Sequence, residues 1–298
     1  MLLAGGTGGA KLAVGLQSAL PPGQLTVVAN TADDDEFWGL LVCPDIDAVL
    51  YRLAGIFNDE AGYGVKQDTF QVLDALSRIG EDAWFRTGDR DIATHLLRND
   101  LMRRGATLTQ ATLALCGRLG LAARVLPMSD VTVRTRFVTD QGELSFQEYF
   151  VRERLRPKLG AIRFAGIESA PPTDEVLSAL GEADLVVIGP SNPMISVAPI
   201  LEIVASRLRR TRTVAVTPIV GGLALKGPTV EMMKALGVEP SPLEVARMYR
   251  DVAGVFVLDE IDRASAAAIE DLGYRVVVCD TVMKDGGRVL AEALLAHV

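Results

Sequence analysis

Met1-Leu2-Leu3-Ala4-Gly5-Gly6-Thr7-Gly8-Gly9-Ala10-Lys11-Leu12 opens the chain and decides its fold. A short apolar run stops at four glycines set around one threonine. A helical pattern begins at once: Leu12, Leu16 and Leu20 recur at i, i+4 and i+8, with Ala13 and Val14 beside them. The order is strand, tight turn, helix. Glycine admits positive φ in such a turn. It also carries no Cβ, so an anion can approach the amides at the helix start, where the dipole favours negative charge. Lys11 sets a cation one turn in. Two readings follow: a phosphate or nucleotide cradle, or a tight connection with no ligand. The order is not G-x-x-x-x-G-K-[ST], which argues against a P-loop kinase or ATPase, and it matches the dinucleotide fingerprint only loosely. The abrupt start of the strand leaves room for a few residues upstream.

The same rhythm continues outward from this turn. Pro21-Pro22-Gly23 breaks the first helix, and Leu25-Thr26-Val27-Val28-Ala29 reads as a second parallel strand. It ends in Asn30-Thr31-Ala32-Asp33-Asp34-Asp35-Glu36. Pro44 suits the first position of a helix running to about Ala54, with Asp45 and Asp47 in its first turn. From Asn58 the pattern turns helical, with candidates over Asp68–Ile79, Asp91–Arg104 and Thr109–Leu119; Asp91 is placed to cap its helix. Val131–Thr139 and Glu143–Val151 alternate about Asp140-Gln141-Gly142 and predict a β-hairpin. After Glu182 strands return at Asp184–Ile188, Thr213–Val216, Val255–Leu258 and Tyr274–Cys279, and Ser241-Pro242-Leu243-Glu244 is a capping box. These signals predict an α/β, Rossmann-like fold: a mostly parallel sheet flanked by helices. Its core is assigned to residues 1–54 and 160–298, with a helical insertion and β-hairpin at 55–159.

The totals bound the class. A chain of 298 residues with 49% hydrophobic and 23% charged residues is ordinary for a globular protein with a sizeable core. A net charge of −8 argues against nucleic acid as the main partner. Cys43, Cys116 and Cys279 fit no zinc or redox spacing and read as reduced, cytoplasmic thiols. No run approaches the roughly 20 apolar residues a membrane helix needs, and no basic segment precedes an apolar one at the N-terminus, so neither a membrane partner nor a signal peptide is expected.

Ligands of open α/β sheets sit beyond the carboxyl ends of the strands. Three loops meet there by that rule: the glycine turn, the acidic loop, and Gly189-Pro190-Ser191-Asn192-Pro193. Asp33, Asp34, Asp45 and Asp47 suit a hard cation such as Mg²⁺, which takes oxygen ligands and shares them with substrate phosphates. Asp35 and Glu36 read as solvated charge, and so does the basic run from Arg207 to Arg212. His95 and His297 stand alone, without metal spacing or a nucleophile motif. The absence of G-x-S-x-G and zinc motifs leaves phosphate chemistry with a divalent cation.

Read together, several motifs resemble the CofD family, the 2-phospho-L-lactate transferases of deazaflavin coenzyme F(420) biosynthesis. They are the glycine turn with Lys11, Asn30-Thr31-Ala32-Asp33-Asp34, Pro44-Asp45-Ile46-Asp47, Gly88-Asp89-Arg90-Asp91 with His95, Leu126-Pro127-Met128-Ser129-Asp130, Phe146-Gln147 and Gly189-Pro190-Ser191-Asn192-Pro193. The Pro-Ser-Asn-Pro loop separates it from the YvcK-like regulatory proteins, which share the first two motifs and bind a nucleotide-sugar without transferring it. The resemblance implies a transferase that moves a phospho-linked three-carbon acid from a guanosine-diphosphate-activated donor to the ribityl hydroxyl of the deazaflavin Fo, releasing GMP. By position, Gly6, Thr7, Gly8, Gly9 and Lys11 hold donor phosphate. Gly189, Ser191, Asn192, Lys226 and Gly227 line the guanosine-diphosphate site, with Gly221 nearby. Asp47 and Arg86 match Fo-associated positions, Asp33, Asp34 and Asp45 are candidate Mg²⁺ ligands, and Asp33, Asp34 and Asp47 are the candidate catalytic carboxylates. The family also implies a homodimer. A generic nucleotide-binding oxidoreductase is disfavoured, because a cluster of acids ends the second strand where a single ribose-reading carboxylate would stand.

Overall fold

The computed structural model describes residues 1–224 and 227–296. Its first third runs β1 (Leu2–Ala4), α1 (Gly6–Ala19), β2 (Thr26–Ala29), β3 (Asp35–Phe37), β4 (Leu40–Val42), α2 (Pro44–Leu53), α3 (Gln71–Arg78), α4 (Asp89–Arg103) and α5 (Leu108–Arg118). The middle holds β5 (Arg124–Pro127), β6 (Arg134–Thr139), β7 (Gly142–Ser145), β8 (Leu159–Ala165), α6 (Asp174–Glu182), β9 (Val186–Ile188) and α7 (Ala198–Val204). The last part holds β10 (Thr213–Val216), β11 (Ile219–Val220), β12 (Leu223–Ala224), α8 (Thr229–Ala235), α9 (Pro242–Tyr249), β13 (Val255–Leu258), α10 (Ala266–Glu270), β14 (Arg275–Val278) and α11 (Arg288–Leu295).

Seven strands form one sheet in the order β5-β2-β1-β9-β10-β13-β14, all parallel. Successive residues of each strand face opposite helix layers. Leu2, Val27, Val125, Val187, Val214 and Val257 pack against α1, α2, α5 and α11. Leu3, Val28, Leu126, Ile188, Ala215 and Phe256 pack against α6, α7, α9 and α10. A sheet buried on both faces needs apolar residues at every position, which is why these strands read as unbroken runs. The chain moves outward from β1 through β2 to β5, returns to β9 and continues to the other edge. The strand order therefore reverses between β1 and β9, and the crevice at such a switch point is where ligands bind.

Arg124–Pro127, which the sequence places in the insertion, is instead the edge strand of the main sheet, paired with β2. Four residues give too little periodicity to tell an edge strand from a linker. The predicted hairpin forms between β6 and β7, but its second arm ends at Ser145, and residues 148–152 form one π-helical turn. β8 completes a three-stranded antiparallel sheet on the other side of β6. The acidic loop also runs into an unpredicted hairpin, β3 and β4, turned by Trp38 and Gly39, both at positive φ. A tryptophan there hid the turn.

A close helix contact joins α1 to the start of α11 through Gly15. A Cβ on Gly15 would overlap the backbone carbonyl of Gly287, which itself sits at φ +91°. Helix propensity alone favours alanine over glycine by about 1 kcal/mol. Overpacking against immobile backbone costs about 1–3 kcal/mol, and more than offsets that gain. Gly15→Ala is therefore expected to lower the melting temperature, read by thermal denaturation; a rise would mean that the helices do not approach this closely.

Candidate active site

The carboxyl ends of β1, β2 and β9 meet the N-terminus of α2, and Asp45 binds them together. Its Oδ1 accepts from the Gly6 amide at 2.6 Å, and its Oδ2 from Asn30 Nδ2 at 2.9 Å. Ser191 Oγ accepts from the Gly5 amide at 3.3 Å across the switch point. The glycines are needed for packing as well as for approach. A Cβ on Gly8 would overlap the Pro190 carbonyl, and one on Gly9 would meet Ala4 Cβ and Ser191 Oγ, each at 2.6 Å. Gly6 is the one residue of this turn at positive φ (60°). The amides of Thr7 and Gly8, next in the first turn of α1, have no intrahelical acceptor. The turn is thus sealed on its Ser191 side, with one amide held by Asp45 and two left for an anion.

Asp33, Asp34 and Asp45 are all buried. Thr135 Oγ1 donates to Asp33 Oδ1 at 2.6 Å, and the Thr135 amide donates to the Ala32 carbonyl, also at 2.6 Å, so the start of β6 pins the acidic loop. Burial, then the neighbouring Asp45 charge, pushes the Asp33 carboxyl well above its usual range. Burial pushes Asp34 up to about 8, against the Cys43 thiol and the charges of Arg134 and Arg98. Burial pushes Asp45 up to about 6, although Asn30 and the Gly6 amide oppose the rise. Asp34 Oδ1 is buried without a hydrogen-bond partner.

Behind this wall lies a polar network that the sequence reading only touched. Arg98 is fully buried and clamps both oxygens of Asp47. Its Nη1 also reaches His95 Nδ1 at 3.4 Å, and His95 Nε2 lies 3.4 Å from Asp91 Oδ1. Tyr51 donates to that oxygen at 2.6 Å and Thr87 to Asp91 Oδ2 at 3.2 Å. Burial lowers the His95 pKa; a neutral imidazole accepts from Arg98 and donates to Asp91, while its Nδ1 also lies 3.5 Å from Asp47 Oδ2. Asp91, expected to cap α4, thus points inward instead. The backbone amides of Arg90 and Asp91 are taken by Asp68, at 2.8 and 3.1 Å, from outside the helix. Arg98 was missed, yet a signal was there: Asp91, His95 and Arg98 recur at i, i+4 and i+7, a polar stripe where an apolar one belongs.

Two trios are therefore possible cation ligands. Among the described residues, Asp47, Asp91 and His95 offer ligand atoms all within 4.8 Å of one another. Arg98 already occupies both Asp47 oxygens there, so that trio reads as an ion-pair network. Asp33, Asp34 and Asp45 do not close to that spacing. Mg²⁺ does not need such a cage: it keeps several waters and takes one or two carboxylates plus substrate phosphates.

The remaining predicted residues fall as follows. Gly189 and Ser191 stand at the switch point, and Asn192 accepts from the Met194 amide at 3.0 Å just beyond it. Arg86 is exposed, with its guanidinium 4.4 Å from the Phe70 ring centroid. Asp47, which the resemblance also places toward Fo, is buried on Arg98. Lys11 lines a cavity together with Arg52 and Lys284. Gly221 and Gly227 are exposed turn residues at positive φ, and Lys226 and His297 lie outside the described residues. Glu36 is exposed and Asp35 half-buried, on β3.

The family model for the 2-phospho-L-lactate transferase CofD matches residues 1–295. This chain belongs to the CofD family. Among its relatives is a 2-phospho-L-lactate transferase of Methanosarcina acetivorans, 40% identical over 98% of this chain and 96% of that one. Another, a phosphoenolpyruvate transferase of Streptomyces griseus, is 38% identical over 96% and 93%. A member of the UPF0052 family from Bacillus halodurans has the same fold, with a TM-score of 0.62 and 17% identity over 99% of this chain and 97% of that one. The CofD chain described here is accordingly a transferase with the Rossmann-like core its sequence predicts. No helix among the described residues is long and apolar enough to cross a membrane.

The buried carboxylates make a prediction that stands apart from activity. Their folded pKa values lie above the unfolded ones, so without a cation their contribution to stability is fully present below about pH 4. It falls as pH rises through about 6 for Asp45 and about 8 for Asp34. A cation competes with those protons. The thermal shift produced by Mg²⁺ is therefore expected to be small at pH 5.5 and larger at pH 8.5, and to shrink in Asp34→Asn. A shift that is equal at both pH values would remove these carboxylates from a metal site.

Proposed function

We propose that this CofD family member transfers a phospho-linked three-carbon acid from a guanosine-diphosphate-activated donor to the terminal ribityl hydroxyl of Fo, releasing GMP, in coenzyme F(420) biosynthesis. The observation that carries the reading is the crevice at the switch point. There, two helix amides and the Ser191 loop offer neutral donors to a diphosphate, facing a wall of buried carboxylates. The full-length family match supports the choice of reaction.

The hydroxyl oxygen of Fo attacks the phosphorus that bears the three-carbon acid. The bond from that phosphorus to the bridging oxygen breaks, and GMP leaves with the electron pair. The hydroxyl proton passes to a carboxylate. Asp34 Oδ1 is the buried oxygen without a partner and is the proposed acceptor. Asp47 is held by Arg98 and orients rather than moves a proton. Asp33 and Asp45 would hold Mg²⁺, shared with Asp34; when bound, the ion neutralises charge on the diphosphate and its leaving group. Thr7 and Gly8 amides bind donor phosphate, with Ser191 and Asn192 along the guanosine side. Phe37 and Phe85 stack at 3.8 Å with Trp84 edge-on, beside Arg86 in the chain. This aromatic cluster is our candidate for contact with the flat deazaflavin. A cytoplasmic homodimer completes the reading.

The test is a single-turnover assay with Mg²⁺, Fo and each guanylylated three-carbon acid in turn: lactyl, enolpyruvyl and glyceryl. Product with one donor, followed by mass, is expected, together with GMP. Asp34→Asn is expected to slow turnover by about 10²–10⁴-fold, the usual worth of a positioned general base, with the fold intact by circular dichroism. Folded protein that binds GDP and makes no product with any donor would point instead to nucleotide binding without transfer, as in the YvcK-like reading.

A further inference from the structure

A cavity of about 370 Å³ lies on the flank of α1 and α2, away from the strand ends. Its lining includes Lys11 on α1, Arg52 in the last turn of α2, and Lys284 with Gly286 in the loop before α11. Arg52 lies seven residues beyond Asp45 on the same helix, about 10 Å along its axis. The cavity is thus a different place from the glycine turn, although it touches both helices that start there.

Its charge is lopsided. Three cations face one carboxylate, Asp59. Asp59 pairs with Arg52 Nη1 at 2.9 Å, but its side chain is 76% exposed, so the pair is weak and readily exchanged. The Arg52 side chain is only 7% exposed, and its Cζ lies 3.9 Å from the Phe57 ring centroid, which fixes the guanidinium plane. Its Nε is buried with no hydrogen-bond partner. Lys284 is exposed and makes no hydrogen bond or ion pair among the described residues. Gly55 and Gly286 carry no side chains, and a Cβ at either would meet nothing within 4 Å, which keeps the mouth open. A fixed guanidinium fork between ammonium groups is the arrangement that binds phosphate: the fork gives directed bonds and the lysines act as point charges.

We propose that this cavity is a second anion site, which binds a small phosphorylated metabolite against Arg52 and Lys284, with Lys11 adding to the field. The ligand reaches α1, α2 and the loop before α11 at once. It therefore clasps from behind the two helices whose N-termini form the candidate active site. The inference does not depend on the transfer reaction: of the residues the resemblance gives to the donor it involves only Lys11, and the binding groups are Arg52 and Lys284.

Inorganic pyrophosphate is the probe. It would be titrated by calorimetry into protein in EDTA, with GDP at saturation so that a guanosine-diphosphate site at the strand ends is filled. One binding event is expected to survive GDP. Its affinity should fall by about tenfold or more in Lys284→Met and in Arg52→Met, as truncation of one member of a charge cluster commonly does. Lys284 is exposed, so its variant keeps the test sound even where Arg52→Met folds poorly. Absence of the event in wild-type protein, or wild-type binding by folded Lys284→Met, would overturn the proposal.

Discussion

The carboxylate of Asp45 holds the site together. One oxygen takes the first amide of α1 and the other takes the side chain of Asn30, so three segments far apart in sequence share one buried charge. Burying a carboxylate is costly unless its lone pairs are met. Here they are met by a helix start, where the dipole is favourable, and by an asparagine whose own Oδ1 accepts from the Ala32 amide at 2.9 Å. That second bond fixes the turn that carries Asp33 and Asp34. Removing Asp45 would free the glycine turn and the acidic loop together.

The parallel core was legible because its strands are buried on both faces and each ends in a loop of unusual composition. The glycine turn, the acidic loop and the Ser-Asn loop declared themselves by residue type. Local chemistry was legible in part: Ser241 accepts from the Glu244 amide at 3.2 Å, one half of the predicted capping box, while the Glu244 carboxylate pairs with Arg247 instead. What stayed hidden was long-range. Thr135 bonds to Asp33 across 102 residues, and no local pattern announces that partnership. The capping box at Thr107 and Gln110 was overlooked, and the helix start was placed one residue late. Arg124–Pro127 falls inside the predicted insertion because pairing, not composition, makes an edge strand part of a core.

Arg98 shows why a buried charge can mislead. An arginine in a helical pattern with charged neighbours reads as a solvated face. This one is fully buried, held by Asp47 and bordered by His95. Such a pair gains little stability over apolar packing, but leaving either member alone would be severe. It fixes the orientation of Asp47. The result is a buried polar network beside the acidic loop.

The position of β1 has a consequence for synthesis. Leu2 pairs with Val27 on one side and with Val187 on the other, and the Met1 amine donates to the Leu185 carbonyl at 2.8 Å. β1 lies inside the sheet, and its second neighbour, β9, follows it in the chain only after β5 and the three strands of the β6–β8 sheet. At about 5–20 residues per second, one edge of β1 waits roughly 10–40 s on the ribosome. During that interval the edge of β1 beside the glycine turn is unpaired, so the delivery of residues 185–188 joins β9 to β1 and brings the Ser191 loop to the Gly5 amide in the same step.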